Sequence, residues 1–578
     1  MALTIALDGI GIIANASSTT ESLGTGTNQW NEDGFGTDSF TTDTFLQGGE
    51  SFAGAYSNRA GFQYYRTAVS YDFSEGTGDF GQFIWIWVNC PTLGLLETRD
   101  NKGLAIRIGS TLTAYTDYYI GGRDDSNGWL GDWKCFVIDP NIAGTLDTGG
   151  GLDITNVNYI GVWIETIANA KGDNIFIDQI AIARGLEITG TWDNVTYSGA
   201  WEEVEAYCSN YSVRALGNFQ SKSGIYYMQG SINIGDSTQT QATVFEDSNK
   251  VIKFDTSEFW NGSAWVSTYT STSSIGIRIL DSTGFSTEFT DGVPVGTDNG
   301  RNGCTYIGGA ESVNQRMSFQ ASTTQNASSF VRLYGTTIRN ARGTVSFGSS
   351  SNDKILGATI ASSSQLVTGG PALIRNSIIS GFTTALTTEA ALLYSSGTDI
   401  QDCSFISNDY AIEIGTGTST DFTNLIFSSN TVDVNNQTGA THTINKLGTT
   451  NASTSSGSTV VFVGLKTLTV NNIQVDTELR IYSYTDINDP NTYTELAGIE
   501  SIGTVTAGDN GFTTPVLANG VYSTTLSYNT GAGDIPVILV AHALTSEFFR
   551  ESLTLSSTEN TSFTVFQIDD RQYNPGSA

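Results

Sequence analysis

The 578-residue sequence predicts an all-β protein built as a sandwich, a stacked solenoid and a second sandwich. Three observations carry this. Gly, Ser, Thr and Asn are abundant while Pro is scarce, and Tyr, Phe, Trp, Val, Ile and Thr supply strand-forming content. No convincing long run of apolar residues recurs at helical spacing. Between residues 321 and 450 a short apolar motif returns at steps of roughly twenty residues.

Length argues for several domains. All ten Trp lie between Trp30 and Trp265, so the two halves of the chain are built differently. The expected division is an N-terminal strand or arm at 1–30, a jelly-roll sandwich at 31–190 and a β-rich connector at 191–320. A parallel β-helix at 321–450 follows, then a small-polar linker at 451–459 and a C-terminal sandwich at 460–578.

In the first sandwich, "GQFIWIWVNC" alternates Phe83, Trp85 and Trp87 with Ile84, Ile86 and Val88. Both faces are apolar, as in a central strand; the sharper alternative is that Trp85 and Trp87 stack on a carbohydrate. "VNYIGVWIETIANAKGDNIFIDQIAIARG" reads as a closing hairpin. It is similar to the last strands of laminin-G-like and carbohydrate-binding jelly rolls. Parity places Asp178 with Phe176, Ile180 and Ile182 unless a bulge re-aims it, and a buried carboxylate needs a donor or a cation. The resemblance implies a structural Ca²⁺ near Asp178 as one way to meet that need.

The solenoid motif is clearest in "NSIIS" (376–380), "CSFIS" (403–407) and "NLIFS" (424–428). Ile338, Ile360, Ile378, Phe405, Ile426 and Ile444 are expected as one inward column. A second short strand follows each clear copy, and stacking coils is what buries the apolar stripe. The region resembles the right-handed β-helix of pectate lyases and phage tailspikes. Within it, "IQDCSFISNDYAIEIG" carries Asp402, Asp409 and Glu413 around Cys403. A glycosidase needs two carboxyls at a set separation, one of raised pKa. Here each acid also has a scaffold reason: Asp402 and Glu413 point outward by alternation, and Asp409 sits at a corner. The scaffold reading is preferred. Asp402, Glu413 and Asp433, with Asp421 as another partner from a neighbouring coil, are the residues a depolymerase reading would use.

"NASTSSGST" leads into seven well-patterned strands, similar to the immunoglobulin-like or transthyretin-like modules of virion appendages. His542 is expected as an ordinary strand histidine, and "DINDPN" as an Asx/Pro turn rather than a Ca²⁺ loop.

Lys plus Arg is 26 and Asp plus Glu is 58, a net charge of −32, which argues against nucleic acid and anionic membrane surfaces as partners. Cys90, Cys135, Cys208, Cys304 and Cys403 are isolated, expected as free buried thiols. Only two histidines, His442 and His542, about a hundred residues apart, argue against a His-based triad or a His-rich metal site. The start "MALTIALDGIGIIANASSTT" has no basic region and no segment reaches membrane-spanning length. An extracellular composition without an export signal fits a virion component, made in the host cytoplasm and released by lysis. The expected function is a structural protein of a bacteriophage, as tail fibre, tail spike or capsid decoration, contributing to host attachment. Its expected partners are other virion proteins, further copies of itself as a homotrimer, and a host surface glycan. The alternatives are a tailspike-type polysaccharide depolymerase or lyase and a bacterial cell-surface adhesin.

Overall fold

The computed structural model describes residues 3–33, 37–46, 48–55, 60–74, 82–124, 133–167, 174–208, 219–235, 243–255, 258–267, 276–279, 287–293, 301–308, 318–321, 331–341, 345–347, 352–363, 366–368, 373–383, 390–395, 397–447, 449, 452–455, 459–464, 466–499, 502, 512–513, 515–528, 534–543, 549–556 and 560–565. These form two compact units. One holds 1–416, 427–435 and 452–455; the other holds 417–426, 436–451 and 456–578. The fold is all-β, with one α-helix, Ala200–Cys208, among the described residues.

The first unit opens with two packed sheets. Phe83–Asn89 is central in one of them, paired with Lys134–Ile138 and Asn174–Thr189. Its Ile84, Ile86 and Val88 enter the sandwich core. Its other face, with Phe83, Trp85 and Trp87, is buried as well. The expected closing hairpin does not form. Val157–Glu165 has both edges occupied, by Ala60–Tyr71 and Leu104–Gly109, and lies in the other sheet. The parity expected around Asp178 is also corrected. A register shift between Ile177 and Ile180 inserts a bulge, so Ile175, Ile177, Ile180 and Ile182 all reach the core while Phe176 does not.

Asn174–Thr189 then seeds the solenoid. Gly185–Ile188 pairs in parallel with Ser231–Ile234, and parallel ladders continue from there in three sheets. The stacking therefore begins upstream of 321, inside the segment expected as a connector. Three inward columns fill the lumen. Ile277, Phe319, Val345, Leu366 and Leu392 stand in the first sheet. Phe245, Phe289, Leu333, Ile355, Ile374 and Ile400 stand in the second. Tyr226, Ile252, Tyr306, Ile338, Ile360, Ile379 and Phe405 stand in the third. The expected column was one residue out of step at two coils. Ile379 is buried and Ile378 is 42% exposed; Ile426 is 50% exposed, and Phe427 stacks on Phe405 at 5.6 Å between centroids. Ile444 belongs to a different sheet, opposite Thr420.

A sequence rule fixes the corners of five third-sheet strands, from Thr337–Arg339 to Ile426–Ser428. Each of the five is preceded by a left-handed residue, Gly335, Gly357, Asn376, Asp402 or Asn424, and followed by another, Asn340, Ser362, Gly381, Ser407 or Ser429. Gly, Asn and Asp tolerate this conformation best. One buried residue separates the first corner from its strand: Thr336, Ala358, Ser377, Cys403 or Leu425.

The first coil is closed by Ala200–Cys208. Ala200, Trp201, Val204 and Cys208 are buried on one side of this helix. Trp201 stacks on Phe245 at 4.8 Å, and its Nε1–H donates to Tyr306 Oη at 3.0 Å. The Asp247 carboxylate accepts the Trp201 amide at 2.7 Å. Gly199 permits this approach, since a Cβ there would lie 1.8 Å from Asp247 Oδ1. End coils need such a cover.

The second unit contains a parallel ladder of Ser419–Thr423, His442–Leu447 and Val460–Gly464, followed by a sandwich of two four-stranded sheets. Val460–Gly464 thus extends a parallel ladder, and the sandwich strands begin at Lys466. Leu468, Val470, Leu479, Ile481, Val537, Leu539 and Leu555 form its core. His542 is exposed opposite Glu478. In "DINDPN", Asp486 accepts the Asn488 amide and Asp489 that of Asn491, which is the Asx-turn geometry. All five cysteines are buried and none is in a disulfide. No helix among the described residues is long and apolar enough to cross a membrane.

Candidate functional site

In the N-terminal sandwich, the sheet that contains Val157–Glu165 runs in the order Gln29–Asp33, Ala60–Tyr71, Val157–Glu165, Leu104–Gly109, Tyr115–Gly121 and Glu258–Trp260. Alternation sends Trp30, Tyr65, Ile160, Val162, Ile106 and Tyr118 into the core. The opposite parity makes three cross-strand rows on the outer face. The middle row is Asn31, Tyr64, Gly161, Arg107 and Asp117. On one side lie Arg66, Tyr159, Gly109 and Tyr115; on the other lie Phe62, Trp163, Ala105, Tyr119 and Trp260. Outer faces of sandwiches are ordinarily polar. This one carries seven aromatic side chains.

Arg107 is the hub. Its Nε and Nη2 donate to Asp117 Oδ1 and Oδ2 at 2.6 and 2.7 Å. Its guanidinium lies 3.6 Å from the Tyr115 ring centre and 3.9 Å from that of Trp163. Arg107 is 4% exposed and Asp117 fully buried. Burial pushes the Asp117 carboxyl up, with the Arg107 guanidinium opposing it. Such a pair cancels the local charge and locks both groups by two parallel hydrogen bonds. Phe62 and Tyr64 stack at 4.8 Å, Tyr64 meets Tyr159 at 5.4 Å, and Asn31 Nδ2 donates to Tyr64 Oη at 2.6 Å. Tyr115, Tyr159 and Trp163 are half-buried, packed against Arg107 or Tyr64. The Glu258–Trp260 and Trp265–Ser267 hairpin extends the face, with Arg99 over Trp260 at 4.2 Å. Half-buried aromatic residues around a charge-paired guanidinium offer stacking surface beside the amide of Asn31.

The residues singled out from sequence are placed elsewhere. Trp85 and Trp87 are 0% and 1% exposed, and the Trp85 ring packs against Gly230, so neither offers a face to a ligand. Asp178 lies buried at the bulge, and its carboxylate accepts the Leu46 amide. Among the described residues, no three His, Cys, Asp or Glu side chains gather as a metal site.

Asp402 is an exposed left-handed corner between second- and third-sheet strands, whereas Glu413 lies mid-strand in the first sheet, in register with Leu393. They are on different faces of the coil. Asp433 accepts from Asn430 Nδ2 at 2.9 Å and from the Ser453 amide and hydroxyl at 2.8 and 3.0 Å. Asp409 follows Asn408, whose side chain accepts the Phe382 amide and donates to the Ile379 carbonyl. In the second unit, Asp421 accepts from Asn445 at 2.6 Å. Cys403 donates to the Gln401 carbonyl at 3.0 Å, just as Ser377 donates to that of Arg375, and burial pushes its thiol up to about 12. The acidic cluster is thereby distributed over corners and ladders.

Sequence reading missed the aromatic face because its partners are far apart along the chain. The available signal was the same-parity aromatics of "FQYYR", "AYTDYYIG" and "VNYIGVWIE" flanking a lone Arg in "LAIRIG". No protein-family model matches the chain, and no curated protein matches it.

Proposed function

We propose that this chain is a structural attachment protein of a bacteriophage particle, a tail fibre, spike or capsid-surface appendage, whose N-terminal sandwich binds a neutral glycan of the host surface. The observation that carries the attachment reading is the aromatic outer face around Arg107 and Asp117. A pyranose presents a flat patch of C–H groups and a rim of hydroxyls. The half-buried Tyr115, Tyr159 and Trp163 suit the first, and the half-buried Asn31 suits the second. The cancelled charge at the centre favours a neutral sugar over an anionic one.

The particle reading is supported by architecture: a sandwich, a capped β-helix and a second sandwich, a combination that resembles virion appendages. Fold alone is an associational argument, so the test is direct. An antibody raised against the chain is expected to label particles of the encoding phage and to slow their adsorption to host cells. Absence of the chain from purified particles overturns the particle reading.

A further inference from the structure

We infer that the hairpin Glu258–Trp260 and Trp265–Ser267 is a strap thrown back from an early solenoid corner, which completes the core of the N-terminal sandwich and makes sandwich and first coils open as one body. The chain leaves the third solenoid sheet at Asp255 and enters the first sheet at Gly276. In later coils residues 407–409 and 429–431 suffice to cross the same corner, whereas here residues 256–275 lie between the two strands. The added length reaches the sandwich.

Both faces of the hairpin are engaged there. Phe259 and Val266 are a cross-strand pair on its inner face. Phe259 is 1% exposed within the sandwich core and meets Tyr118 edge-on at 5.3 Å; Val266 packs against the same core. On the other face Trp260 and Trp265 pair, and the Arg99 guanidinium lies 4.2 and 5.7 Å from their ring centres. Trp260 extends the sandwich sheet opposite Tyr119. Its carbonyl accepts from Thr145 Oγ1, which in turn accepts the Tyr119 amide at 3.2 Å. A second contact runs the other way. Trp85, on the sandwich strand Phe83–Asn89, is fully buried against Gly230 of the first coil, where a Cβ would lie 2.7 Å from its ring. Each part thus buries an aromatic ring against the other, and withdrawing Phe259 would leave a cavity in the sandwich. Segments that share buried contacts open together. A load on the sandwich then passes to the coils instead of to a hinge. The inference holds whether or not the outer face binds a glycan.

The test is hydrogen exchange of the full chain read by mass spectrometry, with peptides covering Val157–Glu165 in the sandwich and Gly276–Ile279 in the coils. Val162→Ala truncates the sandwich core on a strand that the hairpin does not pair with. It is expected to quicken exchange about tenfold or more, and by the same factor in both peptides. In a Phe259→Ala background, Val162→Ala is expected to quicken the sandwich peptide and leave the coil peptide unchanged. If Phe259→Ala does not fold, Thr145→Val, which removes the hydroxyl that clasps the Trp260 carbonyl, takes its place and is read in the same way. A Val162→Ala effect confined to the sandwich with the strap intact overturns the inference. So does an effect that still reaches the coils equally once the strap is released.

Discussion

Ile379 stands in parallel register with Phe405, one coil below it, and both are fully buried, while Ile378 beside it is 42% exposed. Two adjacent isoleucines on a three-residue strand thus have opposite fates. Phe405→Asp places an unpaired carboxylate in the lumen and is expected to cost several kcal/mol. Ile378→Asp is expected to change stability by less than about 0.5 kcal/mol. Chemical denaturation of the two variants separates them. Equal losses would mean that the register is wrong.

The carboxylates of the 400–415 stretch are expected to have no part in bond cleavage. Replacing Asp402 by Asn and Asp409 by Asn, with Glu413→Gln, should leave the fold intact and alter no rate of polysaccharide shortening. Asp402→Val is different, because a β-branched residue is strained at its φ of 51°. It should cost about 1–3 kcal/mol. Depolymerisation by the purified protein that is lost in Glu413→Gln would contradict the scaffold role.

Asp247 gives the capping helix a pH signature. Burial is the main cause of its pKa rising to about 6, opposed by the Trp201 amide. A carboxyl with a folded pKa above its unfolded value favours folding while protonated. The contribution is therefore full below about pH 4 and is lost as pH climbs through about 6. Asp247→Asn cannot ionise. The melting temperature of the variant relative to the parent is expected to rise between pH 5 and pH 7. A difference that stays flat or falls over that range contradicts the assignment.

Closing the lumen rests on Trp201 itself. Trp201→Ala removes the ring stacked on Phe245 and is expected to cost about 3–5 kcal/mol. Hydrogen exchange should quicken first at Phe245 and Tyr306. Exchange that quickens uniformly along the coils would show that the helix is no local cap.

The solenoid was legible in sequence because its columns repeat, and Phe405 and Cys403 point inward as their spacing implies. The slips at Ile378 and Ile426 have one cause. Strands of three residues with apolar neighbours on both sides carry too little alternation to fix parity. The corner residues do carry it: aligning Asn376 with Asp402 places Ile379 over Phe405. The helix Ala200–Cys208 escaped notice because nine residues with three glutamates make a weak apolar stripe. The same-parity aromatics were a signal for the outer face, but it could not be assembled without pairing, since Tyr64, Arg107 and Trp163 become neighbours only across strands.

The attachment account meets its most direct test in equilibrium binding of the purified full chain to neutral polysaccharide from the host surface, by titration calorimetry. The parent is expected to bind saturably. A Tyr115→Ala/Tyr159→Ala variant, which removes two half-buried rings and leaves the Arg107–Asp117 pair in place, should lose at least tenfold in affinity with its melting temperature near the parent's. A well-folded double variant that binds as tightly as the parent, or a parent that binds no neutral glycan from the host, would contradict the account.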